Sequence, residues 1–102
     1  MKKRFALFKV KKGKLNQWKQ WCNLLMAERK QEALESFKYE NVESELCYTF
    51  RVGNTDYVLG EISFNGEYKK SNMDLKINQD HHKNKKECLE YISELESLFD
   101  LK

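Results

Sequence analysis

Residues 42–64, VESELCYTFRVGNTDYVLGEISF, carry the clearest structural pattern in the chain. One side of the first half holds Val42, Leu46, Tyr48, Phe50 and Val52. The opposite side holds Glu43, Glu45, Cys47, Thr49 and Arg51. Residues 53–56, GNTD, are typical of a turn, and residues 57–64 return as a second strand. The stretch therefore predicts an antiparallel β-hairpin around which the rest of the chain must pack.

The segments before the hairpin predict a strand and then a long helix. Residues 5–11 alternate weakly, with apolar residues on both sides, and Gly13 ends this strand. Residues 15–39 predict one helix that stops near Asn41. Its apolar stripe consists of Leu15, Trp18, Cys22, Leu25, Met26, Ala33 and Phe37.

The segment after the hairpin predicts a last helix that starts near Asp80, a suitable N-cap. Cys88, Ile92, Leu95 and Phe99 follow helical spacing along it, so any final strand must fit near residues 98–101. With right-handed crossovers, this order of elements predicts an α+β, ferredoxin-like fold. We expect an antiparallel sheet with helices on one face, in a single domain spanning residues 1–102.

A second copy of the chain is the partner that this pattern favours. The first strand and the hairpin's return strand both carry apolar residues on two faces, while helices can cover only one. A chain this short also buries a smaller share of its surface than a larger domain does. We therefore expect a homodimer that pairs through its sheet faces, as in dimeric α+β-barrel proteins.

Composition, charge and cysteine usage narrow the class of protein. No apolar run approaches the ~18 residues of a membrane span, so we expect no membrane association. Net charge changes sign along the chain, from +9 in residues 1–30 to −6 in 31–67, +4 in 68–86 and −4 in 87–102. Because successive segments of opposite net charge neutralise one another, we expect no nucleic-acid partner. Three cysteines without a CxxC spacing predict free thiols in a reducing cytoplasm, with no metal and no cofactor.

Three polar residues are candidate catalytic residues, and two of them, Arg29 and His81, stand at positions where the pattern expects apolar ones. Arg29 interrupts the stripe of the first helix, Glu32 lies one turn later, and His81 lies on the apolar side of the last helix. An inward guanidinium requires a partner, and a histidine can exchange protons near neutral pH. The three side chains could line one pocket, or they could be structural: Arg29 paired with Glu32, and His81 a cap or filler.

Two further residues are candidate ligand contacts. Glu45 shares a strand side with Glu43, and this side either faces a cavity or dimer interface or is solvated. Trp18 supplies aromatic bulk on the helix stripe. Glu28, Glu32 and Glu35 have a spacing that suits a metal, but without a matching pair of histidines we expect a helix surface and no metal site.

A family resemblance rests on three segments. They are Arg29-x-x-Glu32-x-Leu34 with Ser36-Phe37, Glu40-x-Val42-x-x-Glu45, and Ile77-x-x-x-His81 continued by Glu87-Cys88-Leu89. The chain resembles an uncharacterised bacterial family, a domain of unknown function that is similar in form to the dimeric α+β-barrel, ferredoxin-like proteins. The sequence departs from that family's pattern at Asn78, where we expect an aspartate, and at Asn84 and Lys85, where we expect large apolar residues.

The resemblance implies a ferredoxin-like subunit that pairs sheet to sheet. Relatives in that structural class include sugar mutarotases, cofactor-free oxygenases and small ligand-binding proteins. Three functions follow as hypotheses: a cytoplasmic homodimer with a small-molecule pocket between sheet and helices, a cofactor-free acid/base enzyme on a small carbonyl or sugar-like substrate, or a basic nucleic-acid accessory protein. Fold alone does not choose among them.

Overall fold

The computed structural model describes residues 2–102 and shows an α+β protein with one four-stranded sheet and three helices. In chain order the elements are β1 (Lys2–Val10), α1 (Leu15–Met26), α2 (Lys30–Glu40), β2 (Val42–Val52), β3 (Thr55–Phe64), α3 (Lys76–Cys88) and β4 (Leu89–Glu94). The α+β class predicted from the sequence is confirmed at this level.

The hairpin of β2 and β3 forms as the alternation predicts. Val52 pairs with Thr55, so the loop is only Gly53 and Asn54. Gly53 has a φ of 61°, which a glycine adopts without the steric cost that a Cβ would add. A register shift between Val42 and Ser44 places one irregularity at the start of β2.

The sheet has the strand order β2-β3-β1-β4, and every neighbouring pair is antiparallel. Phe8 of β1 lies opposite Val58 of β3, and both side chains lie on the helix side of the sheet. The buried core between the sheet and the helices consists of Val10, Trp18, Trp21, Val58, Ile77, Cys88 and Leu89. The two tryptophans of α1 supply its largest side chains.

The prediction of one helix over residues 15–39 is wrong, because the helix breaks between Met26 and Lys30. Both the Ala27 and the Arg29 N–H groups bond to the Leu24 carbonyl, which tightens the end of α1. The local residues are good helix formers, so the break has a tertiary cause. It redirects α2 so that Ser36 and Glu40 are buried, and it places Arg29 beside α3.

Both predicted ends of the C-terminal helix are also wrong. It begins at Lys76 rather than at Asp80, and the chain turns into β4 directly after Cys88. Leu89 and Tyr91 then pair with Val10 and Phe8, which satisfies the backbone groups at the free edge of β1. The fourth strand is therefore Leu89–Glu94, and residues 98–101 form no strand. Within residues 2–102 no helix has the length and apolar character needed to cross a membrane.

The apolar character of both sheet faces, predicted for β1 and β3, is present in the structure. Because side chains alternate along a strand, Leu7 and Leu59 point away from the helices that cover Phe8 and Val58. In the part of the chain that the structure describes, the three helices lie on the opposite side. Residues exposed on this face, which we call the open face, include Leu46, Tyr48 and Phe50.

Candidate functional site

A row of small residues crosses the helix-facing side of the sheet. Gly60 of β3 lies between Ala6 of β1 and Cys47 of β2. A Cβ built on Gly60 would meet no atom within 4 Å. Since the tryptophans of α1 pack on the neighbouring part of the sheet, this row is left uncovered and forms the floor of a pocket of about 580 Å³.

The pocket has apolar walls and a small number of charged groups. Its apolar lining includes Phe8, Trp18, Val58, Ile62 and Tyr91. Its volume lies within the range of roughly 300–1,000 Å³ that is common for small-molecule sites. The polar groups therefore stand out against this lining and are the candidates for specific recognition.

His81 of α3 lies in the pocket wall in one fixed orientation. The indole N–H of Trp21 donates a hydrogen bond to His81 Nδ1 at 2.8 Å. An indole nitrogen can only donate, so Nδ1 must accept, and the ring proton of neutral His81 is on Nε2. Burial lowers the pKa of His81 to about 4, with the charges of Lys85 and His82 acting in the same direction. At neutral pH His81 is an uncharged hydrogen-bond donor.

Glu45 of β2 faces His81 across the pocket. The carboxylate Oε1 lies 3.9 Å from His81 Nε2, which is longer than a direct hydrogen bond. Burial raises the pKa of Glu45, and the nearby Lys85 opposes this shift. Of the two placements that the strand pattern allowed, the structure shows Glu45 on the helix-facing side, in the pocket.

The open end of the pocket carries a second set of charges. Arg4 of β1 forms an ion pair with Glu94 of β4, and its guanidinium lies 4.9 Å from the centre of the Tyr68 ring. Lys85 of α3 lies 4.9 Å from the centre of the Phe8 ring. Both aromatic rings hold a cation against the apolar wall.

Arg29 and Glu32 lie outside this pocket, on the outer side of Trp21. The Arg29 guanidinium makes two hydrogen bonds to Glu32, at 2.9 and 3.0 Å, and one to Asp80 of α3 at 3.0 Å. It also lies 5.8 Å from the centre of the Trp21 ring. The structure thus brings His81, Glu45 and Trp18 together and separates them from Arg29 and Glu32. The paired guanidinium holds the break between α1 and α2 against α3.

Several pocket residues were missed by the sequence analysis. Gly60 offered a usable signal, because a glycine inside a strand often marks a close approach of a ligand or of another backbone. Lys85 gave none, because an apolar residue was expected at that position. Asn78, where an aspartate was expected, is buried, and its side chain donates to the Asn72 carbonyl at 2.9 Å.

Among residues 2–102, no group of three or more histidine, cysteine, aspartate or glutamate side chains is arranged to hold a metal ion. Every buried side-chain nitrogen or oxygen in the same residues has a hydrogen-bond partner.

Comparison with known proteins gives one result. A family model described as "Family of unknown function (DUF6176)" matches residues 1–102. No curated protein and no solved structure was found to match the chain. The family description assigns no reaction, so the geometry of the pocket carries the functional argument.

Proposed function

The chain belongs to the DUF6176 family of unknown function, and we propose from its pocket that it binds a small, largely apolar molecule between the sheet and α3. The observation that carries this proposal is the His81–Glu45 pair inside an apolar wall. A small number of polar groups in a mainly apolar wall is the usual arrangement by which a site orients an apolar ligand.

The geometry of the pair indicates the polar group of the ligand. His81 offers an N–H donor from Nε2, and Glu45 offers a carboxylate acceptor 3.9 Å away. A ligand hydroxyl can lie at about 2.8 Å from both atoms, accepting from His81 Nε2 and donating to Glu45 Oε1, whereas a carbonyl oxygen accepts from His81 alone. We therefore propose a ligand with a hydroxyl or carbonyl group on a hydrocarbon body.

The experiment uses phenol and acetophenone as probes and benzene as their apolar counterpart. We expect phenol and acetophenone to shift the NMR signals of the His81 ring and of the Trp18 and Trp21 indole N–H groups. Benzene, which lacks the oxygen, should shift the His81 ring less. Replacing His81 by Phe should remove the advantage of the oxygen-bearing probes.

A pocket-filling variant tests the location. Gly60→Leu places a side chain in the open space of the floor and should abolish the shifts. Thr49→Leu is the matched control, because Thr49 lies on the same side of the sheet but does not line the pocket. Equal binding by both variants would show that the probes bind elsewhere and would overturn the proposal.

We further propose that the subunit is ferredoxin-like and forms a homodimer through the open face. The βαββαβ order, counting the broken first helix as one, and the strand order β2-β3-β1-β4 support the first part. Tyr48 is 49% exposed and Phe50 42% exposed on a face that continues through Leu59 and Leu7, which supports the second part. Lys3 and Glu61 form an ion pair on that face at 3.5 Å, so its charges are of both signs and can complement a second copy.

Enzymatic proton transfer is the second candidate function, favoured by the protonation states of the pair. Glu45, whose pKa is raised by burial, can act as a base, while neutral His81 donates a hydrogen bond to a developing enolate oxygen. The measurable consequence is exchange of the methyl protons of acetophenone in deuterated water. Glu45→Gln should abolish this exchange, and Glu43→Gln, at an exposed carboxylate outside the pocket lining, should retain it.

A further inference from the structure

The wall of the pocket holds a half-buried cation, Lys85, against an aromatic surface. Its ammonium nitrogen lies 4.9 Å from the centre of the Phe8 ring. The Phe8 ring in turn meets the Tyr91 ring edge to face, with the ring centres 5.7 Å apart. Among residues 2–102, no carboxylate oxygen lies within 4.0 Å of the Lys85 nitrogen. A ring attracts a cation only weakly, so the ammonium keeps its hydrogen-bond donors for a ligand.

The other charges of the pocket leave a positive excess at this point. The lysine, arginine and carboxylate side chains of the lining are three bases and two acids: Arg4, Lys85, Lys86, Glu45 and Glu94. Arg4 and Glu94 form an ion pair with each other, and Lys86 is exposed to solvent. Lys85 is therefore the cation that a bound molecule meets inside the pocket, and one negative charge on that molecule balances the lining.

The position of Lys85 on α3 relates it to the polar pair. Lys85 and His81 are four residues apart in one helix, so they lie on the same face of α3. Four residues advance a helix by about 6 Å along its axis. His81 meets Glu45 of β2, whereas Lys85 lies over Phe8 of β1. The pocket thus offers one place for a hydroxyl group and another for an anion, about one helical turn apart.

We propose that the ligand is a hydroxy-substituted monocarboxylic acid, whose carboxylate binds Lys85 while its hydroxyl group bonds to His81 and Glu45. This inference rests on the proposed function and deepens it by naming the class of ligand. The apolar lining between the two places accommodates the hydrocarbon body. A single excess charge matches a carboxylate better than a phosphate monoester, which carries about 1.5 to 2 negative charges at neutral pH.

Binding measurements with three phenols test this inference. In para-hydroxybenzoate a carboxylate lies across the ring from the hydroxyl, the methyl ester has a similar shape without the charge, and phenol lacks the group altogether. We expect the wild-type protein to bind para-hydroxybenzoate about tenfold more tightly than the methyl ester, since a hydrogen bond between charged groups is stronger than one to a neutral ester. The advantage should shrink as the salt concentration rises. NMR titration of the His81 ring gives each Kd.

Variants on α3 identify the cation that is responsible. Lys85→Met removes the charge but keeps an unbranched apolar stem, and it should remove the preference for the acid over the ester. Lys85→Arg keeps the charge and should retain the preference. Lys83→Met is the matched control, because Lys83 lies on the same helix, is exposed and does not line this pocket. It should bind the three probes as the wild type does.

The outcomes separate this inference from the proposed function. If phenol and the ester bind but the acid binds no more tightly, the inference is overturned while the proposed function stands. The same holds if Lys85→Met keeps the preference for the acid, or if Lys83→Met loses it as well. If none of the three probes binds to the wild-type protein, the proposed function fails and the inference fails with it.

Discussion

The indole N–H of Trp21 donates to Nδ1 of His81 at 2.8 Å, and this contact determines which ring nitrogen of His81 faces the pocket. The two residues are 60 positions apart, on α1 and α3. Because protonated histidine has no acceptor nitrogen, the contact also opposes the charged form. This hydrogen bond thus sets the tautomer of the residue opposite Glu45 and acts in the same direction as burial, which keeps the imidazole neutral.

Removing this donor should raise the pKa of His81. Trp21→Phe keeps an aromatic ring but eliminates the hydrogen bond that favours the neutral imidazole. We expect the pKa to rise from about 4 towards, but not to, 6.5, because burial still lowers it. The measurement is NMR titration of the His81 ring. Trp18→Phe is the control, since the rings of Trp18 and His81 lie 6.0 Å apart without that bond; an unchanged pKa in Trp21→Phe would contradict this account.

The lowered pKa of His81 predicts a pH dependence of stability. Between about pH 4 and pH 6.5 the unfolded chain binds a proton at His81 that the folded protein excludes. The contribution of His81 to the free energy of unfolding therefore rises with pH and is lost as pH falls. The raised pKa values of Glu45 and Glu40 act in the opposite direction. The difference in unfolding free energy between wild type and His81→Gln isolates the histidine.

Urea denaturation at a series of pH values gives that difference. We expect the wild type to gain about 2–3 kcal/mol relative to His81→Gln between pH 4 and pH 7. The charges that face the imidazole come from Glu45 on β2 and from Lys85 and His82 on α3. A difference that does not vary with pH would show that His81 titrates alike in the folded and unfolded chains.

Arg29 should contribute to the stability of the fold and not to ligand binding in the pocket. Its guanidinium is 19% exposed and bonds to both Glu32 and Asp80. Arg29→Gln removes the cationic partner of Glu32 and one of the two cationic partners of Asp80, which keeps Lys76. We expect a loss of about 1–2 kcal/mol in chemical denaturation. Arg51→Gln is the control, because Arg51 is 64% exposed, and it should change stability by less than ~0.5 kcal/mol.

The same variant separates a structural role of Arg29 from a catalytic one. If its role is structural, probe binding by Arg29→Gln should match that of the wild type at temperatures where the variant is folded. A folded Arg29→Gln protein that loses binding or proton exchange would favour the catalytic role predicted from the sequence.

The proposed dimer should depend on the open face of the sheet. Tyr48→Glu introduces a charge into the centre of that face, and we expect sedimentation to shift from dimer to monomer. Tyr39→Glu on α2 is a matched control, because the two tyrosines are 49% and 56% exposed in the single chain. A wild-type monomer at micromolar concentration, or equal effects of both variants, would exclude an interface at the open face.

Local sequence patterns were enough to predict the hairpin and the two apolar faces of the sheet. The alternation in residues 42–64 and the short Gly53-Asn54 loop specify the hairpin, because period-two alternation fixes which side chains share a face. Apolar residues on both sides of β1 and β3 also predicted a sheet with two apolar faces. Because these features depend on residues only a few positions apart, they can be predicted from the sequence.

The helix and strand boundaries and the pocket depend instead on contacts between residues far apart in the chain. The break between α1 and α2 runs against local helix propensity, and Arg29 within it bonds to Asp80, 51 residues away. Leu89 begins a strand because the edge of β1 requires a partner, although its segment also has helical spacing. The pocket itself arises where Gly60 pairs with two strands and where Trp21 meets His81. These contacts between distant residues follow from the register of the sheet and the packing of the helices, which local periodicity does not specify.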